Sequence, residues 1–199
     1  MTKSIMLVGV GGQGTILASK LLTIGLMEAG YDVKMSEIHG MSQRGGSVSS
    51  QVRYGEDEVY SPVIEIGGAD MIVSFEKMEA LRYLKYLKPE GKIVVNNYKL
   101  ESISSLVGKY EYKEDKIDAE LLRLKASVID AGKKAEELGN VKVMNVILLG
   151  ALVKSMKLDN IDWEDIIRKN VKEKFVDINI VAFNEGKKLV ESEEASATI

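Results

Sequence analysis

The sequence predicts an α/β fold: a Rossmann-like, mostly parallel sheet flanked by helices, with a helical C-terminal portion. Two observations support this prediction. The apolar run SIMLVGV, typical of a strand buried on both faces, leads into glycines and then into the helical pattern TILASKLLTIGLMEAG. With the strand-like YDVKMSEI it forms a βαβ unit, which implies a parallel sheet. ADMIVSF, EKMEALRYLKYL and GKIVVNN then repeat the order of strand, helix and strand.

Shorter signals place the next elements. SVSSQVRYG alternates and is rich in β-formers, so it predicts a further strand, whereas Pro62 leaves EDEVYSPVIEIGG irregular. A turn is expected at Pro89 and Gly91. Residues 109–125 alternate densely in charge and predict no clear element, while ASVID is typical of a short strand and AGKKAEELG of a helix.

The C-terminal portion is predicted to be helical. KVMNVILLGALVKSM indicates a buried helix, because its apolar run is far shorter than the roughly 20 residues that span a bilayer. Asn145 within it is expected to bond a neighbouring backbone group. NIDWEDIIRKNVKEKF is predicted to start behind an Asn160 cap, and VDINIVAFNEGKKLV is the last helix. We expect one domain over residues 1–190 and a flexible tail over residues 191–199.

Composition excludes several classes of function. The 199 residues hold 27 basic and 30 acidic side chains and a net charge of −3, so no basic excess favours nucleic acid. Neither a targeting segment nor a membrane span is recognisable, which predicts a cytoplasmic protein. With no cysteine and one histidine, the chain is predicted to hold no iron–sulfur cluster and no ordinary zinc site. A cluster used in any redox reaction would therefore lie on another polypeptide.

The first glycine-rich element is GVGGQG, whose candidate contact residues are Gly9, Gly11, Gly12, Gln13 and Gly14. It fits G-x-G-x-x-G between a strand and a helix, where backbone N–H groups and the helix start can approach a phosphate. Glu37, at the end of the second strand, has the place of a ribose-binding acid. Three interpretations stay open: a nicotinamide or flavin site, another phosphate-bearing ligand or a docking surface, and a turn that serves packing alone.

The second glycine-rich element is HGMSQRGG, with Ser42, Arg44, Gly45 and Gly46 as candidate contacts of a ligand or partner. Arg44 suits a carboxylate or phosphate, which a guanidinium binds through two parallel hydrogen bonds. His39, the one histidine of the chain, is a weak candidate for a proton shuttle, since such a residue more commonly shapes a turn. No catalytic residue is assigned. Because both glycine elements follow strands, they are expected to meet at the carboxyl edge of the sheet.

The two glycine elements together resemble the gamma-type domain of the 2-oxoacid:ferredoxin oxidoreductases. In that family a Gly-Gln-Gly turn follows the first strand, here residues 12–14, and an Arg-Gly-Gly element follows the second, here residues 44–46. HGMSQRGG resembles in particular the small (beta) subunit of the indolepyruvate branch. GNVKVMNVILLGAL and NIVAFNEG are also similar to the family, so the resemblance covers almost the whole chain except residues 109–125.

The resemblance implies an oxidoreductase that is active as a subunit of a complex. The family reaction oxidatively decarboxylates an aryl 2-oxoacid such as indolepyruvate to an aryl-acetyl-CoA and CO2, with coenzyme A as substrate and ferredoxin as electron acceptor. Thiamine diphosphate, magnesium and iron–sulfur clusters are expected on a large partner subunit, and no cofactor or metal on this chain. The resemblance leaves open whether the glycine loops contact coenzyme A, the oxoacid or only the large subunit.

Two alternatives from other classes stay open. One is a free-standing NAD(P)- or flavin-binding Rossmann-type protein, although no Tyr-x-x-x-Lys helix or histidine–carboxylate pair stands out as an acid–base site. The other is a non-catalytic assembly module whose glycine loops bind only protein. Ligand binding by the isolated chain separates the first alternative from the second.

Overall fold

A six-stranded sheet forms the centre of the part of the chain that the structure describes. This structure is a computed structural model that describes residues 1–39, 45–101, 107–108 and 111–196, without the side chains of His39 and of residues 192–196. The strands are β1 (Lys3–Val10), β2 (Asp32–His39), β3 (Ser47–Gly55), β4 (Ala69–Ser74), β5 (Leu87–Asn96) and β6 (Ser127–Ile129). The helices are α1 (Thr15–Glu28), α2 (Lys77–Tyr83), α3 (Glu114–Arg123), α4 (Ala131–Glu137), α5 (Met144–Ser155), α6 (Trp163–Asn170) and α7 (Val176–Ser196).

The strand order is β2-β3-β1-β4-β5-β6, and β3 runs antiparallel to both of its neighbours while the other pairs are parallel. The predicted α/β fold with a mostly parallel sheet is confirmed. The two strands of the predicted βαβ unit, β1 and β2, are not adjacent in the sheet, because β3 lies between them. The connection from β2 to β3 is too short for a crossover helix, so the chain returns beside β2 as an antiparallel strand.

Helices cover both faces of the sheet. Successive side chains of a strand point to opposite faces, so Ile5 and Leu7 of β1 join the core under α1 and α5. Met6 and Val8 join a second core on the face where α2 packs. Both faces of β1 are therefore buried, as its continuous apolar run predicts.

The cap of α6 differs from the prediction. The Asp162 side chain accepts a 3.1 Å hydrogen bond from the backbone N–H of Asp165, so Asp162 caps the helix and Asn160 does not. A short polar side chain serves as a cap only from the residue directly before the helix, which is Asp162 here. The helix also ends at Asn170, because Val171 is extended.

The turn expected at Pro89 and Gly91 is instead part of β5. This strand begins at Leu87, and its register against β4 shifts between Ala69 and Met71. Proline within a sheet is typically found at such irregular positions, since it cannot donate a ladder hydrogen bond. The strand therefore continues through Pro89 and Gly91 with a shifted register, and no turn forms there.

Two helical segments lie where the sequence predicts none. Within residues 109–125, α3 buries Ile117 and Leu121, which are four residues apart and share one face, while most of its other residues are charged. The last helix, α7, continues to Ser196, so residues 191–196 are helical where a tail is expected. Across the described ranges, none of the helices has the length and apolarity to cross a bilayer.

Candidate functional site

The two glycine loops are joined to each other at the sheet edge. The N–H of Gly11 donates a 2.8 Å hydrogen bond to the carbonyl of Gly46, and the N–H of Gly45 donates one of 3.2 Å to the carbonyl of Gly11. This pair of bonds continues the β1–β3 ladder past the strand ends, since Val10 pairs with Ser47. The expectation that the two loops meet at one edge is confirmed.

Gln13 closes the first loop with its side-chain amide. Its Oε1 accepts a 2.7 Å hydrogen bond from the N–H of Val10, and its Nε2 donates one of 3.1 Å to the carbonyl of Phe75, directly after β4. The amide therefore ties the ends of two parallel neighbours, β1 and β4. An added Cβ at Gly9 would lie 2.8 Å from Gln13 Oε1 and 2.9 Å from Phe75 Cβ, so this position requires glycine.

Asn145 of α5 contacts Gly14, the residue directly before α1. The Asn145 Nδ2 donates a 3.3 Å hydrogen bond to the carbonyl of Gly14, which confirms the expected bond from this residue to a backbone group. Gly14 has a φ of 86°, and an added Cβ would lie 2.6 Å from Asn145 Nδ2. Both its left-handed backbone and the close contact therefore favour glycine at residue 14.

A cavity of about 360 Å³ opens beside the joined loops. Its walls belong to the first glycine turn, the start of α1, β2 and β3, and its lining residues are Gly11, Gly12, Gly14, Thr15, Ile16, Glu37, Ile38, Val48, Ser49 and Ser50. Helix α1 begins at this cavity, and Gly14 at the N-cap has no side chain to accept hydrogen bonds from the first backbone N–H groups of the helix. The positive end of the helix dipole suits an electron-rich ligand group here.

Glu37 lies in the same cavity as the glycine turn, although β3 separates β2 from β1. In dinucleotide-binding folds the strand that carries the ribose-binding acid is next to β1. Here that acid is one strand further away, an additional distance of about 4.8 Å across the sheet. The cavity therefore differs in shape from a dinucleotide site, while it still combines an acid with backbone donors.

Most of the second loop lies outside the described residues. His39 is the last residue of β2 by its backbone, but its side chain and all of residues 40–44, including Ser42 and Arg44, are not described. The described part of this loop is Gly45 and Gly46, which contact Gly11. The roles predicted for His39, Ser42 and Arg44 stay predictions.

A second polar network, which the sequence did not predict, lies at the start of α2. The buried Glu76 caps this helix by accepting a 3.0 Å hydrogen bond from the N–H of Glu79, and it accepts one of 2.5 Å from the hydroxyl of Tyr112. Burial raises the pKa of Glu76, and this effect outweighs the hydrogen bonds that oppose it. Burial also raises the pKa of Tyr112, together with its bond to Glu76. The sequence signal was available in part, since Glu76 directly precedes the helix.

The described residues do not fit a metal or an iron–sulfur cluster. The sequence has no cysteine, and within the described ranges no three His, Cys, Asp or Glu side chains are grouped as metal ligands. Iron–sulfur clusters are held by cysteine thiolates, with histidine as an occasional substitute. A cluster that acts with this chain would have to be bound by another subunit.

Comparison with known proteins gives consistent matches. Residues 4–189 match the family described as pyruvate ferredoxin/flavodoxin oxidoreductase. The indolepyruvate oxidoreductase subunit IorB of Thermococcus kodakarensis is 41% identical over 191 residues, which cover 93% of this chain and 94% of the relative. The IorB subunit of Archaeoglobus fulgidus is 39% identical over 191 residues, covering 94% of each.

A solved structure shares the fold. The keto/oxoacid ferredoxin oxidoreductase gamma subunit from Geobacter sulfurreducens has a TM-score of 0.70 and 21% identity, and the match covers 96% of this chain and 99% of that one. The described part of the chain therefore has the α/β fold of that gamma subunit. The chain belongs to the pyruvate ferredoxin/flavodoxin oxidoreductase family.

Proposed function

We propose that this chain is the small subunit of a cytoplasmic complex that oxidises aryl 2-oxoacids such as indolepyruvate, with ferredoxin as electron acceptor. The reaction consumes coenzyme A and gives an aryl-acetyl-CoA and CO2. In this proposal thiamine diphosphate, magnesium and the iron–sulfur clusters belong to the large partner subunit, and this chain completes the site.

The observation that carries the proposal is the junction of the two glycine loops. Residues 9–14 and the Arg-Gly-Gly element are the segments that resemble the family, and two backbone hydrogen bonds join them at one edge of the sheet. The extensive similarity to IorB subunits supports an aryl 2-oxoacid as the substrate.

In this proposal the chain binds and orients a ligand or the large subunit, because its sequence has no cysteine with which to bind a cluster. The first loop offers the backbone of Gly11 and Gly12 and the start of α1 to the cavity, and Glu37 adds a hydrogen-bond acceptor. Arg44 is proposed to bind a carboxylate or phosphate, either of the ligand or of the partner subunit.

Reconstitution with the cognate large subunit tests the proposal. The two chains are mixed with thiamine diphosphate, magnesium, coenzyme A and ferredoxin, and ferredoxin reduction is followed with indolepyruvate and with pyruvate. We expect reduction that requires both subunits and coenzyme A, with the higher kcat/KM for indolepyruvate. Full activity of either subunit alone, or a preference for pyruvate, contradicts the proposal, and a flavin- or nicotinamide-loaded isolated chain would favour the free-standing alternative.

Arg44→Lys tests the second loop in the same assay. Lysine keeps the charge but loses the planar pair of donors, and a hydrogen bond to a charged group contributes about 1.5–3 kcal/mol. We therefore expect a KM for one substrate, or a Kd of the complex, that is raised by roughly 10–100-fold. Arg168→Lys, on the exposed side of α6, is the matched control and should leave both constants unchanged.

A further inference from the structure

We propose that Ser47 and Glu79 are positioning residues for the second glycine loop. The hydroxyl of Ser47, held by the buried carboxylate of Glu79, fixes the end of the loop that carries Arg44. This inference rests on the proposed function, in which that loop contacts a ligand or the large subunit.

Ser47 is the residue at which the loop enters the sheet. It directly follows Gly46 and is the first residue of β3. The two hydrogen bonds to Gly11 hold the loop backbone against β1, but Gly45 and Gly46 have no side chains with which to pack. Ser47 is therefore the first residue after the glycines whose side chain can anchor the loop.

The anchor of Ser47 lies on α2. Its Oγ donates a 2.5 Å hydrogen bond to Oε2 of Glu79 and lies 3.2 Å from the hydroxyl of Tyr83. A serine hydroxyl has one proton, so the hydroxyl of Tyr83 donates to Ser47 when Ser47 donates to Glu79. The loop end is thus tied to two residues that are one turn apart on the same helix.

Glu79 is itself fixed in place. Its side chain is 1% exposed, and Nε of Arg82 donates a 3.0 Å hydrogen bond to its other oxygen, Oε1. A buried carboxylate is tolerated only when its oxygens keep their hydrogen-bond donors. Ser47 and Arg82 supply one donor to each oxygen, so movement of Ser47 would leave Oε2 without this donor.

This arrangement separates positioning from contact. Glu79 and Ser47 lie on the face of the sheet that α2 covers, whereas the cavity beside the loops lies on the α1 face. Both residues therefore hold the loop from the face of the sheet opposite the cavity. Within EKMEALRYLKYL, Glu79 has the pattern of a solvated helix residue, so the sequence did not indicate this role.

Ser47→Ala in the reconstituted complex tests the inference against Arg44→Ala. The reference variant Arg44→Ala identifies the constant that depends on the loop, either the KM for one substrate or the Kd of the complex. We expect Ser47→Ala to raise the same constant by roughly 3–10-fold, less than the full effect of a hydrogen bond to a carboxylate because Ser47 acts on the contact only through the loop, with kcat within about twofold. Ser47→Thr keeps the hydroxyl and should restore the constant.

A double variant distinguishes positioning from a general loss of stability. In the Arg44→Ala background, Ser47→Ala should have little further effect, because the contact that it positions is already gone. Tyr112→Phe is the control, since it also removes a hydroxyl bonded to a buried carboxylate, but that carboxylate is Glu76, the cap of α2, and not the partner of Ser47. It should lower the melting temperature to a similar extent and leave the loop-dependent constant unchanged.

Two results would overturn the inference without affecting the proposed function. One is a wild-type constant in Ser47→Ala while Arg44→Ala is impaired. The other is an effect of Ser47→Ala that is undiminished in the Arg44→Ala background, which would show that Ser47 acts elsewhere. If Arg44→Ala itself has wild-type constants, the loop has no contact to position, and the proposed role of the loop fails together with the inference.

Discussion

At the scale of single residues, uncharged amide side chains organise the edge of the sheet. Gln13 and Asn96 both donate to the carbonyl of Phe75, and Asn96 also accepts a 3.1 Å hydrogen bond from the N–H of Gly132. An amide has both a donor and an acceptor, so it can bridge two backbone groups without the cost of burying a charge. The ends of β1, β4 and β5 are thereby held in one arrangement, and the glycine loops start from a rigid base.

Glu76→Gln is predicted to change the pH dependence of stability. Burial raises the pKa of Glu76 above its ordinary value of 4.5, so the folded state binds this proton more tightly than the unfolded state does. The wild-type protein therefore loses stability as the pH rises from that value through the raised pKa. Glutamine does not titrate, so the free energy of unfolding of the variant should rise relative to wild type across this window. Urea denaturation from about pH 3 to about pH 8 measures the difference.

Glu114→Gln is the opposite control. Its ion pair with Lys77 lowers the pKa of Glu114, so the wild-type protein gains stability as the pH rises through the window below 4.5. Relative to wild type, this variant should lose stability as the pH rises through that window. Parallel pH profiles for wild type and Glu76→Gln would show that the folded state does not raise the pKa of Glu76.

The sequence predicted the glycine turn, whose residue types depend on local spacing. Gly9 and Gly14 follow from the pattern of glycines between a strand and a helix, and the structure shows why each position needs glycine. Glu79 and Asn96 could not be found in this way, because their partners Ser47 and Gly132 are distant in sequence. The side chains of His39 and Arg44 lie outside the described residues, so their predicted roles stay predictions, and the Arg44 variants test one of them.

At the scale of elements, α5 and α7 pack with their backbones in close contact. An added Cβ at Gly150 of α5 would overlap the backbone carbonyl of Phe183 on α7, and one at Gly186 of α7 would overlap the carbonyl of Ile147. The two helices therefore approach each other through reciprocal glycines. Such an approach brings backbone atoms into contact, and it leaves no room for a side chain at either of these two positions.

Gly150→Ala is predicted to destabilise the protein by about 1–3 kcal/mol or more, because the new methyl group meets backbone atoms that cannot move independently. Gly132→Ala on α4 is the matched control. Apart from the residues next to it in sequence, the atom nearest to the new Cβ would be Tyr98 Cδ2 at 3.4 Å, which is an ordinary contact. Alanine should stabilise that helix by up to about 1 kcal/mol. Chemical denaturation of both variants measures the difference, and equal effects would contradict the packing argument.

Elements were predictable where one hydrophobic pattern dominates. The buried helix α5 and the buried strand β1 have continuous apolar runs, and both are present. In α3 only Ile117 and Leu121 are fully buried, so its helical period is hidden among the charged residues that surround them. The last residues of α7 have no such apolar pattern either, and their helical backbone is not evident from composition.

At the scale of the whole molecule, strand content was predictable but strand order was not. Periodicity identifies β1, β2 and β3 as strands, whereas the position of β3 between the other two depends on pairing between distant segments. That position has a functional consequence. Because β3 follows the second loop directly, its pairing with β1 brings Gly45 and Gly46 to Gly11, so the topology itself joins the two glycine loops.

The purified chain is predicted to be colourless and to form a stable complex with the large subunit. With no cysteine it has no thiolate to bind an iron–sulfur cluster, so the visible absorbance of the complex should come entirely from the large subunit. A site shared between two chains needs geometry held to within about 0.5 Å, which a weak encounter does not provide. Size-exclusion chromatography with absorbance detection should show both chains in one coloured peak, and the small subunit alone in a colourless one. A stoichiometric cluster spectrum from the isolated chain, or separate elution of the two chains, would contradict a shared site.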